Sequence, residues 1–246
     1  MSVSLTFVGS GDAFGSGGRL QTCLALRGGG PTILLDCGAS SLVGLKRIEL
    51  APNDVAAVVL SHLHGDHFAG VPFLVLDGQF SRRTAPLIVA GPPGVRERVE
   101  RTMEALFAGS TRVQRRFEVE YLELAERVPA GVAAATVTAF GVEHASGAPS
   151  YALRVQYGGR TVTYSGDTEW TDALLEAARD ADCFVCEAYT FDRRLRFHLD
   201  YATVRAQAAR LGARRIVLTH MGPSMLERRS EADFECAEDG LVLPLG

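Results

Sequence analysis

The sequence predicts an α/β protein. Short apolar segments rich in valine, isoleucine and leucine recur along all 246 residues, and glycine-containing turns separate them. Stretches with helical spacing, such as VRERVERTMEALF, stand between them. The length suits one large domain or two small ones. No linker, low-complexity tract or repeat divides the chain, so the expectation is one domain over residues 1–246.

Taken in order, SLTFVG, TCLALRG and PTILLDCG read as three strands, followed by a helical segment around Ser40 to Lys46. DVAAVVLSH is a buried strand that runs straight into a histidine cluster, with a short helix from His67 onward. PLIVAGPPGVRERVERTMEALF gives a strand, a turn at Gly91 to Gly94, and an amphipathic helix entered through proline. The second half continues with GVAAATVTAFGVEH, then the strands within SYALRVQYGGRTVTYSGDT, and a helix from Trp170 to Ala178. CFVCEA, a helix near Tyr201 to Leu211, RRIVLTH and a last LVLPL complete it. Nearly every strong strand in this half ends in a residue able to ligate metal.

Composition narrows the function classes. With 47% hydrophobic and 22% charged residues the chain has an ordinary soluble composition. A formal charge of −4 and a pI near 5.9 supply no overall basic field, so bulk attraction to nucleic acid is not favoured; a local basic patch stays open. Lys46 is the only lysine, and the arginines spread along the whole chain as solvated faces do. The start MSVSLTFVGSG lacks the pattern of a signal peptide, and no apolar run approaches the ~20 residues that span a bilayer. Five cysteines, an odd number, point to reduced thiols and a cytoplasmic setting. Cys183 and Cys186 form C-x-x-C, but on a strand the two side chains point to opposite faces, which fits buried thiols.

The stretch SHLHGDHFAG carries the chemistry. Half of the six histidines fall within six positions, beside a carboxylate. On extended backbone alternate side chains share a face, so His62 and His64 project together, while the turn at Gly65 swings Asp66 and His67 toward a second point. That arrangement suits two adjacent metals, and imidazole with carboxylate favours Zn2+, with Mn2+ or Fe as substitutes. The remaining ligands must come from strand ends: His144 in FGVEHASG, Asp167 in TYSGDT and His220 in IVLTHMG. The expected sorting places His62, His64 and His144 on one metal, Asp66, His67 and His220 on the other, and Asp167 across both. Two divalent metals, two carboxylates and one bridging hydroxide leave a net positive site that favours an anionic substrate, and two such metals can drive in-line displacement at phosphorus. Asp66 is placed to hold and deprotonate the attacking water while ligating.

These residues resemble the H-x-H-x-D-H signature of the metallo-β-lactamase superfamily, with His144, Asp167 and His220 matching the remaining ligand positions in order. The resemblance covers nearly the whole chain and implies a four-layer αββα metallo-β-lactamase sandwich with the metals at one edge between the sheets. LTFVGSGDAFGS, LLDCG, APLIVAGPPG, EHASGAPSYALRV, YSGDT and LTHMG look like blocks of the ribonuclease Z branch, which includes phosphodiesterases. Asp167 stands where several β-lactamase relatives carry a cysteine, which argues against β-lactam cleavage; diiron members usually carry a glutamate where His64 stands. In ribonuclease Z relatives a glutamate in a HEAT block and a histidine in a later HST block serve proton transfer to the leaving oxygen. The corresponding blocks here read CEAY and FHLD, so His198 is the candidate general acid and Glu187 the residue that orients it. Ser150 and Tyr151 match a family block near the site. The glycine-rich VGSGDAFGSGGR is no dinucleotide or phosphate loop, although its amides and Arg19 are candidates for phosphate contact.

One departure separates the chain from that branch. Ribonuclease Z grips tRNA with a protruding arm that many bacterial members insert between the blocks holding His144 and Asp167; here two strands and a YGG turn fill that interval. TEW follows Asp167 where relatives often have a basic residue. The expectation is a dinuclear metal-dependent phosphodiesterase acting on small or cyclic phosphodiesters, without a membrane partner and with nucleic acid less favoured. Family habit implies a homodimer. The alternatives are tRNA 3′ processing, hydrolysis of carboxylic esters, lactones or thioesters, and a metal-binding module without catalysis.

Overall fold

The computed structural model describes residues 2–246. In chain order the elements are β1 (Ser4–Gly9), β2 (Cys23–Arg27), β3 (Thr32–Leu35), α1 (Ser41–Arg47), β4 (Val55–Val59), α2 (Gly65–Phe68), α3 (Gly70–Phe80), β5 (Leu87–Gly91), α4 (Val95–Leu106) and β6 (Val119–Glu123). They continue as β7 (Ala130–Val132), β8 (Ala135–Val142), β9 (Ser150–Tyr157), β10 (Arg160–Tyr164), α5 (Ala173–Ala178), β11 (Cys183–Glu187), α6 (Tyr201–Leu211), β12 (Ile216–Thr219), α7 (Pro223–Glu227), β13 (Glu235–Cys236) and β14 (Val242–Pro244).

The strands form two seven-stranded sheets, ordered β14-β1-β2-β3-β4-β5-β6 and β13-β12-β11-β10-β9-β8-β7. Between them lies a core that draws on both, with Leu5, Phe7, Leu24 and Ile33 facing Val137, Leu153, Val155 and Val185. A second cluster packs α1, α3 and α4 on the outside of the first sheet through Leu45, Val71, Leu74, Val99 and Met103. A third packs α5 and α6 on the outside of the other through Leu174, Ala177, Val204 and Leu211. The result is the expected αββα sandwich. Each fully buried Val, Leu or Phe contributes roughly 1.5–3 kcal/mol, so both faces of the sheets must be covered. Strand β11 shows the logic: Cys183 and Val185 face the inter-sheet core while Phe184 and Cys186 face the helices, so its two thiols do point apart.

In each sheet four neighbouring strands run parallel, β3 to β6 and β10 to β13. Their C-terminal ends therefore open on a common edge, where the loops carry the polar residues.

Several local expectations change. The helix expected from His67 begins at Gly65, after His64 in extended backbone, so Asp66 and His67 share its first turn. The helix expected from Trp170 begins at Ala173, because the Thr171 hydroxyl accepts from the Ala173 amide at 3.4 Å and turns the chain first. GVAAATVTAFGVEH is a hairpin, β7 and β8, with left-handed backbone at Ala133. Strand β6, helix α7 and strand β13 had no counterpart in the sequence reading. In β6 the exposed Glu120 and Glu123 interrupt half-buried residues, a pattern tolerated because the strand lies at a sheet edge. Arg19 does not face the metal edge as a phosphate hand. Its guanidinium is tucked inward, donating to the Ala237 carbonyl at 2.5 Å and the Ser10 hydroxyl at 3.2 Å.

Candidate metal centre

Each sequence-predicted ligand hangs from a strand end on the common edge. Strand β4 leads to His62 and His64, α2 presents Asp66 and His67, β8 leads to His144, β10 to Asp167 and β12 to His220. Among them one ligand atom each from His62, His64 and His144 lies within 4.8 Å of the others, and the same holds for Asp66, His67, Asp167 and His220. Asp167 stands between the groups. Its Oδ1 is 3.3 Å from His67 Nε2, and its Oδ2 is 3.5 Å from His220 Nε2, 3.9 Å from His144 Nε2 and 4.0 Å from His62 Nε2.

For three of the rings a hydrogen bond on the far side fixes which nitrogen faces the centre. His144 Nδ1 donates to the Phe197 carbonyl at 2.9 Å, leaving Nε2 as a bare acceptor 3.0 Å from His64 Nδ1. His67 Nδ1 donates to Asp36 Oδ2 at 2.7 Å, so its Nε2 lone pair faces Asp66 Oδ2 at 3.1 Å as well as Asp167. His62 Nδ1 donates to the Ser61 hydroxyl at 3.0 Å, which in turn donates to Asp36 Oδ2 at 2.7 Å.

Lone pairs aimed at lone pairs repel unless a cation sits between them. His62 Nε2, His67 Nε2 and Asp167 Oδ1 are buried with no hydrogen-bond partner, an expense that a protein sustains where an ion satisfies the groups. The donor set of imidazoles and carboxylates fits two divalent cations.

Without a cation, protons take that place. Burial works to strip His67 and His220, but the Asp167, Asp66 and neighbouring carboxylates outweigh it, pushing His67 well up and His220 up to about 10. Burial opposes ionisation of Asp66 and Asp167 as well, yet the imidazolium groups of His67 and His220 hold both carboxyls below the usual range. Burial and then the charge on His67 push His62 down, so it stays neutral, as a ligand must.

His198 and Glu187 belong to the same assembly. Glu187 is fully buried at the end of β11, and its Oε1 pairs with His198 Nδ1 and lies 3.5 Å from His220 Nδ1. Its Oε2 accepts from the Thr168 amide at 2.9 Å and the Leu199 amide at 3.2 Å. The His198 ring is 5.1 Å from that of His144 and 6.2 Å from that of His220, on which it stacks. Burial would lower the His198 pKa, but Glu187 outweighs it and raises it. All nine predicted site residues therefore meet at one edge.

Two contributors, Asp36 and Tyr189, were not singled out in the sequence. Asp36, in LLDCG, orients His67 directly and His62 through Ser61; its position at the end of a buried strand was the available signal. Tyr189 packs its ring 4.9 Å from that of His198. Ser150 and Tyr151 lie behind the site: the Ser150 hydroxyl donates to the His144 carbonyl at 3.0 Å, and the buried Tyr151 gives its amide to the Ser61 carbonyl at 3.0 Å. The backbone is strained here, with left-handed φ at Asp36 (57°), Phe197 (70°) and His220 (54°).

An αββα sandwich whose edge gathers such a cluster is a hydrolase of the metallo-β-lactamase fold. The chain belongs to the β-lactamase superfamily: the family described as "Beta-lactamase superfamily domain" matches residues 31–221. It is similar to ribonuclease Z of Methanosarcina acetivorans, 26% identical over an alignment covering 88% of this chain and 87% of the relative. Among solved structures it resembles the short form of human tRNase Z, with a TM-score of 0.80, 26% identity and 99% of each chain covered. The metallo-β-lactamase fold protein YhfI from Bacillus subtilis shares the fold with a TM-score of 0.81 at 20% identity, again over 99% of each chain.

Proposed function

We propose that this chain is a dinuclear metal-dependent phosphodiesterase acting on small or cyclic phosphodiesters. The observation that carries the reading is the pairing of two three-residue ligand groups, joined by Asp167, with a His198–Glu187 couple beside them. When bound, two divalent cations, Zn2+ first and Mn2+ or Fe as substitutes, supply Lewis-acid charge to the phosphoryl oxygens and acidify water. His62, His64 and His144 would hold one, Asp66, His67 and His220 the other, and Asp167 both. Asp66 accepts the proton of the attacking water at its carboxylate. Glu187 holds His198 Nδ1, which leaves Nε2 to donate a proton to the leaving oxygen; Glu187 is a positioning residue in this step. The reading takes the whole chain as one catalytic domain, working in the cytoplasm as a homodimer.

Precursor tRNA cleavage is the second reading, favoured by the ribonuclease Z relatives. Two observations stand against it. The interval between His144 and Asp167 is a hairpin, β9 and β10, turned at Gly158 and Gly159. The alignment to the Methanosarcina relative runs over 269 positions, longer than this chain, so that relative carries inserted residues with no counterpart here.

The test is hydrolysis by zinc- and manganese-loaded protein of bis(p-nitrophenyl) phosphate, cyclic nucleotides, a lactone, a β-lactam and precursor tRNA, with Asp167→Ala as control. Turnover of the small phosphodiesters alone, lost in the variant, is the expected outcome. Cleavage of tRNA would move the reading to the second one, and turnover of the lactone alone would overturn the substrate class.

A further inference from the structure

A cavity of about 270 Å3 lies on the other side of His198 from the ligand cluster. One wall is the segment after Asp167, with Glu169 and Trp170; the other is the His198 loop, with Arg194 and Leu195, and the floor is the first turns of α6, with Thr203 and Gln207. Both walls are pinned to a single atom: Glu187 Oε2 accepts from Thr168 at the root of one and from Leu199 at the root of the other. The cavity is thus held in fixed register with the catalytic edge. Its size is below the roughly 300–1,000 Å3 of pockets that take drug-sized molecules, which suits a single ring system.

The lining has two chemistries. Trp170, the chain's only tryptophan, is half-buried against the α5–α6 cluster and lines the cavity with aromatic surface of the kind on which bases stack, while Gln207 and Glu169 line it with hydrogen-bonding groups. At the lip the sequence DRRLRFH sets Arg193, Arg194 and Arg196, all exposed, and among the described residues none of the three makes a salt bridge with a carboxylate. Arg196 lies over the Phe197 ring at 4.4 Å, which leaves Arg194 as the free guanidinium on the cavity itself. Such a group matches a phosphate, bound bidentately.

His198 separates this cavity from the centre, and as proton donor it marks the side on which the leaving oxygen departs. We infer that the cavity is the leaving-group subsite and receives a nucleobase against Trp170, with Arg194 taking that nucleotide's further phosphate. The substrate is then a nucleotide phosphodiester whose leaving alcohol is itself a nucleoside or nucleotide. This rests on the phosphodiesterase reading and narrows it.

Trp170 fluorescence reports occupancy directly. Zinc-loaded protein is titrated with adenosine 5′-monophosphate, adenosine, ribose 5-phosphate and inorganic phosphate, and the monophosphate is tested as an inhibitor of bis(p-nitrophenyl) phosphate hydrolysis. Saturable quenching by the monophosphate and by adenosine, none by the two compounds without a base, and competitive inhibition are expected. Arg194→Ala should weaken the monophosphate about tenfold while leaving adenosine within about twofold. Quenching by ribose 5-phosphate equal to that by the nucleotide, or no quenching by either adenosine compound, overturns the subsite. If bis(p-nitrophenyl) phosphate turns over in that case, the phosphodiesterase reading stands without it; if nothing is hydrolysed but the nucleotide still quenches, the reverse holds.

Discussion

At the residue scale the site depends on which ring nitrogen each histidine turns inward. Asp36 decides it for His67 and, through the Ser61 hydroxyl, for His62, and the Phe197 carbonyl decides it for His144. The clustering of these side chains was legible because three histidines and an aspartate within six positions have few purposes other than ligation. Asp36 was not, since it acts on residues 25 and 31 positions away and resembles any aspartate closing a strand. His198 makes no hydrogen bond to either ligand group, but a ring nitrogen lies within 4.8 Å of ligand atoms of Asp167 and His220, so the effect of its removal is read together with metal content. His198→Ala should lower kcat about 10²–10⁴-fold on a phosphodiester with a poor, alkoxide-like leaving group while zinc content by elemental analysis is unchanged. A p-nitrophenolate leaving group needs no proton and should be far less affected. Equal rates for wild type and variant on the poor leaving group would remove His198 from the mechanism.

At the element scale the loop that carries His198 is held between β11 and α6. Asp200 caps α6, its two carboxylate oxygens accepting from the Thr203 amide and hydroxyl at 2.7 Å each, and Gly212 closes the helix in left-handed backbone. Asp200→Ala should cost about 1 kcal/mol, read as a lower urea midpoint at unchanged m-value. No change in midpoint would mean that packing of Tyr201 and Val204 alone holds the helix start. Strands with apolar runs were readable because burial on both faces demands them, as in β4 and β11. Two edge strands were not: β6 carries Glu120 and Glu123 on exposed positions, and the two residues of β13 are too few for any pattern. Trp170 escaped its expected helix because one threonine hydroxyl captured a backbone amide, a competition that periodicity does not register.

At the scale of the whole molecule, two sheets that share a core place their parallel strand ends on one edge, so the ligands converge only once the entire sandwich has formed. Metal affinity and folding are therefore linked. In metal-free protein His67 and His220 carry protons near neutral pH, since their pKa values lie above the ordinary value, His220 at about 10. Both must lose a proton to ligate, whereas Asp66 and Asp167, held low, are already ionised. Zinc uptake should release about two protons and weaken as pH falls, measurable by calorimetry in buffers of different ionisation enthalpy. Release of no protons would mean that the imidazoles are neutral before metal arrives. Saturating metal at about 1,000 times its Kd would add about 4 kcal/mol to stability, lost on chelation. Among the described residues no helix is long and apolar enough to cross a membrane. Glu187 gives the architecture a last consequence. Because one buried carboxylate fastens the roots of both cavity walls, residues 169–170 and 194–196 hang between fixed points and should accept exchange without disturbing the ligand cluster, whereas Phe197, whose carbonyl orients His144, should not. A lineage built on this chain can change its diet and keep its chemistry, and substitutions accumulating in those two short spans would be the trace of that history.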